Sequence, residues 1–272
     1  MNQNWTSAAI GAVLAAAISH EAMAGDIDAM VEKGGCPACK MHLDSMRGLE
    51  LPNADFTGAV LREADMKEVV MPGARFQGAD LRRTEMERAH LDGADFSGAK
   101  MRDVDLEKSS LAETRFTDEV DLRSADLGET ILTNADFTGA DLRGAYLRRS
   151  DISGAIFRNT KMTDVDLERT VAPNTVFAGA ILENGDLSRM KAPEADFSGA
   201  DLTATDLSSA DLSRADLTGA NLNYALMRRT NFSGATLTGA RGLTKRRLAL
   251  ACGDKDTKLP SGFTIRTCGA SE

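Results

Sequence analysis

The sequence predicts an all-β solenoid of square cross-section, and two periods in the chain predict it. The shorter period is five. From about Gly48 to Gly239 a large apolar residue recurs at every fifth position, beginning Leu51, Phe56, Leu61, Met66, Met71. The longer period is twenty. Phe56, Phe76, Phe96 and Phe116 are twenty apart, and so are Phe137, Phe157, Phe177 and Phe197. A fixed short period marks a stack of repeats rather than a globular domain. Composition agrees, because aromatics are only 5% of the 272 residues. A narrow core filled by one large and one small residue per repeat needs few of them.

The N-terminus precedes the repeats. Residues 8–18 (AAIGAVLAAAI) are an apolar run too short to span a bilayer. Ala22-Met23-Ala24 is a small-x-small cleavage pattern. Together they predict a secretory signal peptide over 1–24, cut between Ala24 and Gly25. No lipoprotein box precedes Cys36, so no membrane anchor is expected. Residues 25–47 read as a non-repetitive N-terminal cap segment. Asp26–Lys33 has the pattern of one or two helical turns, with Gly34-Gly35 as the stop.

The repeat region is predicted over 48–242. Its pentads read small, Asp, large apolar, polar, polar or Gly, as in Ala135-Asp136-Phe137-Thr138-Gly139. On an α-helix five residues overshoot a full turn by about 140°, so the large residues would spiral around every side. On a straight strand five is odd, so they would alternate between faces. The conflict disappears if the chain turns a corner every five residues. The first and third places then both point inward, as strand alternation requires. Four fives make one coil, which gives the square section. About nine to ten coils follow, stacked about 4.8 Å apart into a rod of roughly 45 Å. Gly falls two residues after most of the Phe residues, at a corner suited to positive φ.

Two departures break the pattern. One residue is inserted within Thr117–Asp121, so that Phe137 is twenty-one from Phe116. It is best placed as a bulged corner that leaves the Phe stack in register. Ala172 and Ala192 replace the large apolar residue, beside Pro173 and Pro193. Ala fills less volume, so a dent or distorted corner is expected there.

The A-(D/N)-(L/F)-x-x pattern, also seen in Ala200-Asp201-Leu202-Thr203-Ala204, resembles the pentapeptide-repeat family. The resemblance covers about 190 residues. It implies a right-handed quadrilateral β-helix and supplies the handedness that spacing does not. It also implies that end-to-end homodimers are common among relatives. Some relatives are thought to imitate the shape and charge of DNA and so occupy DNA gyrase.

The four sides differ chemically. The Met66 side carries Asp65, Glu85, Glu87, Asp105, Glu107, Asp126, Asp166, Glu168, Asp186 and Asp206, an acidic stripe. It reads either as a docking surface for a basic partner or as a solvated face, where Asp is favoured because its side chain bonds nearby backbone. The Leu61 side carries Arg62, Arg82, Arg102, Arg123 and Arg143, expected to neutralise acids across coils. The Phe side is dressed with Thr, Ser and Gln. The Met71 side is the least charged.

After Gly242 the pattern ends, and 243–272 is predicted to cap the last coil. Leu243–Ala251 reads as a short amphipathic helix with Thr244 as N-cap and Leu243, Leu248 and Leu250 covering the coil. The tail after it resembles the end segment seen on many exported or uncharacterised pentapeptide-repeat proteins. There are four cysteines, two at each end. A rod holds the ends tens of ångströms apart, so Cys252–Cys268 and Cys36–Cys39 are the intramolecular pairings to expect. The second stays ambiguous between a disulfide, free thiols and, with His42, an incomplete metal set.

No nucleophile–base pair, phosphate loop or metal set emerges, and a filled solenoid has no pocket. Neither an enzyme nor a cofactor is expected. The net charge of −9 disfavours direct nucleic-acid binding. Two functions remain: an exported, rod-like structural or interaction module with an unidentified protein partner, or a cytoplasmic DNA mimic acting on a type II topoisomerase.

Overall fold

The structure, a computed structural model, describes residues 25–269. The predicted leader, including Ala24, lies outside them. The chain opens with a helix, α1 (Gly25–Lys33), which Gly34 and Gly35 end at φ +71° and +131°. From there it turns a corner every five residues. Single-residue parallel bridges link each pentad to the one twenty residues on, from Gly35↔Asp55 to Asn221↔Arg241. The stacking therefore begins in the segment expected to be non-repetitive. Cys36, Met41 and Met46 occupy third places of the first coil, although Lys40, Ser45 and Glu50 stand where Asp usually does.

One pentad shows why five residues suffice. In Ala54–Gly58, the Phe56 N–H donates to the Arg75 carbonyl of the following coil at 2.7 Å. The Asp55 N–H donates back to Gly34 at 3.0 Å, and the Gly58 N–H forward to Gln77 at 2.9 Å. The Ala59 N–H closes the corner onto the Phe56 carbonyl at 3.0 Å. Only the fourth-place N–H lacks a backbone partner, and the Asp55 carboxylate accepts it at 3.0 Å. This Asx turn recurs at Asp95–Ser97, Asp136–Thr138, Asp186–Ser188 and Asp206–Ser208. The Asp signature thus completes the donor accounting that buried backbone requires. It also explains why Pro37, Pro52, Pro72, Pro173 and Pro193 all fall at fourth places, where no ladder bond is lost.

Every corner is left-handed at its fifth place, whatever residue stands there. Glu63 (φ 57°), Arg88 (57°) and Lys108 (62°) adopt it as Gly58 (67°) does. The alternation of φ is that of a type II turn, whose third residue needs positive φ. The glycines beside the Phe column mark only part of this rule.

The inward places form one core. Phe56 to Phe197 are fully buried and stack with ring centroids 4.5 to 5.2 Å apart and interplanar angles of 2° to 10°. Offset stacking of this kind adds about 0.5–1.5 kcal/mol per pair beyond burial. Where the small place is Thr or Ser, its buried hydroxyl donates to a third-place carbonyl, as Thr84 does to Leu61 at 2.8 Å. The core therefore holds these hydroxyls without leaving them unpaired.

The inserted residue sits at a corner, as expected. Asp118 and Glu119 are both left-handed (φ 57° and 58°), and the bridges that span this corner, from Lys100↔Asp121 to Arg115↔Asp136, run twenty-one apart. Phe116 and Phe137 still stack at 4.5 Å. The expected dent at Ala172 and Ala192 is absent. Their N–H groups donate to Lys191 and Asp211 at 2.7 and 2.8 Å, ordinary ladder lengths. Beside Ala192 the inward first place holds Met190, fully buried, so large and small have exchanged places within one pentad.

At the C-terminus the helix is shorter than predicted. It is α2 (Lys245–Leu248), whose cap Thr244 accepts from the Arg247 N–H. Leu248 is buried, but Leu250 is half exposed. The reason is that the chain returns at once to the ladder: Arg229 N–H donates to Leu250 at 2.7 Å, and Cys252 and Lys258 bridge Asn231 and Thr236.

Candidate interaction surface

The outward residues of each ladder make a lateral face with fixed spacing, so the faces are where chemistry is displayed. On the Leu61 side the arginines bind acids, mostly within their own pentad. Arg82, Arg123 and Arg143 each clasp the Asp two residues earlier through two bonds of 2.7–2.8 Å. Arg62 reaches across a coil to Asp80 at 2.9 Å, and Arg102 and Arg123 lie 3.9 and 3.8 Å from the Asp of the next coil. The Arg82 and Arg123 guanidinium groups hold the Asp80 and Asp121 carboxyls below the usual range. At Asp141, burial pushes upward, but the Arg143 bonds outweigh it. This column is internally neutralised, leaving little free positive charge for an anion.

The Met66 side carries all ten acids named above. One ladder runs Asp65, Glu85, Asp105, Asp126, Tyr146, Asp166, Asp186, Asp206 and Leu226, with Glu87, Glu107 and Glu168 at fourth places beside it. It is not a continuous acidic stripe. Lys67 bridges Glu85 and Glu87 at 2.9 Å each, and Arg148 pairs with Asp166. Arg169 and Arg189 lie 3.4 and 3.2 Å from Glu168. The acids dominate between Glu87 and Glu129. There burial, then the charges of Glu87, Asp126 and Glu107, push the Asp105 carboxyl up, against the Glu107 N–H it accepts. Glu87 Oε2 has no hydrogen-bond partner among the described residues.

Two shallow depressions mark this face. The first is lined by Glu107, Asp126, Gly128, Glu129, Tyr146, Arg148, Arg149 and Glu168, with Arg149 3.5 Å from Glu129. The second lies nearer the C-terminus and is mixed in charge, lined by Ser188, Ser208 and Ser209 with Arg189, Arg228 and Arg229 against Glu168, Asp186 and Asp206. Arg228 and Arg229 are exposed and form no ion pair among the described residues. Both tyrosines of the chain stand out here: Tyr146 is 52% exposed on the ladder, and Tyr224 is 77% exposed at the corner before Leu226. The sequence reading missed both the tyrosines and the interleaved bases. The signal was present in the pattern: Tyr146 takes a second place where Asp is usual, and Lys67, Arg148, Arg169 and Arg189 stand at fourth and fifth places.

The cysteines form two disulfides, Cys36–Cys39 and Cys252–Cys268. The first joins the third place of one pentad to the first place of the next, across a single corner. The second closes a sixteen-residue separation in the tail. No group of three or more His, Cys, Asp or Glu among the described residues is arranged to hold a metal. No helix among them is long and apolar enough to cross a membrane.

No curated protein matches the sequence. Among solved structures, the chain is similar to HetL, a pentapeptide repeat protein involved in heterocyst differentiation regulation in the cyanobacterium Nostoc sp. strain PCC 7120. Identity is 26%, over 87% of this chain and 94% of that one, with a TM-score of 0.26. It is similar to trypsin-treated QnrB1, a plasmid-mediated fluoroquinolone resistance protein, at 18% identity over 75% and 90% of the two chains (TM-score 0.40). A thylakoid-lumen pentapeptide repeat protein of Arabidopsis thaliana is 31% identical over 43% and 71% (TM-score 0.23). The sequence model described as pentapeptide repeats matches residues 50–88, 71–107, 79–118, 118–154, 130–169, 174–208 and 210–241, well over half of the chain. Sequence period, bridge register and this match agree, and the chain belongs to the pentapeptide-repeat family, whose members fold as right-handed β-helices.

Proposed function

We propose that the protein is an exported, non-enzymatic rod of about nine to ten coils, closed by a C-terminal cap, which binds another protein through its Met66 side. The observation that carries this reading is the ladder itself. It displays acids, arginines and the exposed Tyr146 at fixed spacing, with exposed Tyr224 at the adjoining corner, on a face whose two depressions described above are shallow and open. Such a face suits recognition of a surface better than enclosure of a substrate. The acidic stretch from Glu87 to Glu129 favours a basic patch on the partner. Export is supported by the apolar run 8–18, the Ala22-Met23-Ala24 pattern and the pairing of all four cysteines, which suits an oxidising compartment.

The alternative is a cytoplasmic mimic of DNA that protects a type II topoisomerase. The acidic stretch favours it; the interleaved Lys67, Arg148 and Arg149 weigh against a long uniform run of negative charge. Residues 1–30 fused to a reporter active only outside the cytoplasm separate the two. An active reporter supports export, and an inactive one refutes it. Crosslinking in the compartment where the mature N-terminus is found then tests the face. A captured protein whose crosslinks map to the Met66 side supports the interaction module. Crosslinks confined to other sides overturn it.

A further inference from the structure

We propose that the Met66 side is self-complementary and pairs two copies of the chain side by side, antiparallel, about a twofold axis. The proposal rests on reading this side as an interaction surface and names one partner for it, a second copy. Three observations carry it. The face is polarised along the rod: midway, Glu107, Asp126, Glu129 and Glu168 outnumber Arg148 and Arg149 around the Gly128 depression, and at the C-terminal end stand Arg228 and Arg229, which form no ion pair among the described residues. The tyrosines are divided in the same way: Tyr146 lines the Gly128 depression, and Tyr224 is exposed at the corner that leads into the Leu226 pentad. Tyr is enriched at interface centres because it combines apolar area with a hydroxyl. Finally, the Asp126 and Leu226 pentads share one ladder, so the acids and Arg228 and Arg229 lie on the same side of the rod, with Tyr224 at its adjoining corner.

A twofold axis between the Asp166 and Asp186 pentads brings these features together. It sets the Leu226 pentad, with Arg228 and Arg229, opposite the Asp126 pentad, with Gly128 and Glu129. The symmetry repeats the contact at the other end, as an isologous interface requires. The Asp206 pentad then faces Arg148, again opposite in charge. Six coils at about 4.8 Å make a strip roughly 30 Å long. One five-residue side is at most roughly 16 Å wide at about 3.3 Å per residue, so the strip offers under about 500 Å² per partner against about 800 Å² in a standard interface, and the dimer is weak and salt-sensitive.

Sedimentation equilibrium of the mature, oxidised protein tests this. At about 25 mM salt the mean mass should rise toward the dimer between roughly 10 and 500 µM, and return to the monomer at about 500 mM salt. Arg228→Glu/Arg229→Glu and, separately, Asp126→Lys/Glu129→Lys should each weaken association at least about tenfold, because like charges then oppose. Mixing the two variants should restore it, since both contacts of the heterodimer become complementary. Gly128→Leu, whose Cβ would meet the Asp126 carboxylate at 3.0 Å and Glu107 and Arg148 at ordinary contact distances of 3.8 and 4.0 Å, tests the depression without charge. It should weaken pairing by a similar factor, with the circular dichroism spectrum unchanged. Monomer at every concentration, a dimer indifferent to these variants, or no rescue on mixing overturns the proposal. A monomer that still crosslinks a different protein on this face would sink the self-pairing alone and leave the interaction module standing.

Discussion

Two places depart from the five-residue rule, and the chain absorbs them in different ways. At Thr117–Asp121 there is one residue too many, and the corner takes it up as two successive left-handed residues. At Ala192 there is too little volume, and the correction comes from inside, where Met190 fills the other inward place of the same pentad. Corners tolerate length; in the core Met190 offsets Ala192 by exchange, whereas the Ala172 pentad keeps two smaller inward residues, Thr170 and Ala172, both fully buried. The inward places therefore fix the register, and the outward and corner places are free to vary. That freedom is what allows one face to carry acids, arginines and tyrosines without disturbing the rod.

The core half of this comparison is the easier to break. Phe137 stacks between Phe116 and Phe157 at 4.5 and 4.7 Å, and its pentad partner is already Ala135. No larger neighbour can compensate, so Phe137→Ala should cost about 3–5 kcal/mol in denaturant unfolding. Met190→Ala should cost about 2–5 kcal/mol, because both inward places of that pentad would then be small. Adding Ala192→Met to it should recover most of the loss, whereas Ala192→Met alone overpacks and should cost about 1–3 kcal/mol. A double-mutant cycle with no coupling would refute the exchange of volume.

The outward places should give smaller effects, some of them favourable. Arg88 holds a left-handed corner and forms no ion pair among the described residues, so Arg88→Gly should stabilise by about 1 kcal/mol or less. Acid titration should separate two sets of Asp. Asp80, Asp121 and Asp141 have depressed folded pKa values, so their contribution is present above the unfolded pKa and is lost as pH falls through the folded one. Asp105 is raised, so its contribution is present below the unfolded pKa and disappears as pH rises through the folded one. Asp105→Asn should therefore stabilise at neutral pH, and Asp121→Asn should destabilise there; thermal midpoints at neutral and acid pH read both.

Much of this was legible in the sequence, and the reasons are local. Large residues at intervals of five and Phe at intervals of twenty define the inward places, the four sides and the bulged corner near Asp118. The Asp signature pointed to backbone bonding, and Asp55, Asp95 and Asp136 do accept the N–H two residues on. The first coil was hidden because Cys36, Met41 and Met46 keep the period while Cys39, Asp44 and Leu49 replace the usual Ala. The left-handed fifth place was only partly visible, because backbone bonding holds Arg, Lys and Glu there as well as Gly. Charge pairing on the Met66 side was missed because it depends on which long side chains reach neighbouring coils. A period sets where residues stand, not how far Lys67 or Arg148 extends.

Deletion of single residues tests the division between corner and core most directly. Removing Glu119 turns the bulged corner into an ordinary pentad junction, Thr117-Asp118 followed by Val120. Removing Ser124, at the next fifth place, leaves a pentad one residue short and shifts every later inward residue. The thermal midpoint of the Glu119 deletion should equal or exceed that of the parent, with the same β-rich circular dichroism, and the Ser124 deletion should melt well below it. Equal losses in both, or a Glu119 deletion that fails to fold, would contradict the claim that inward places alone set the register.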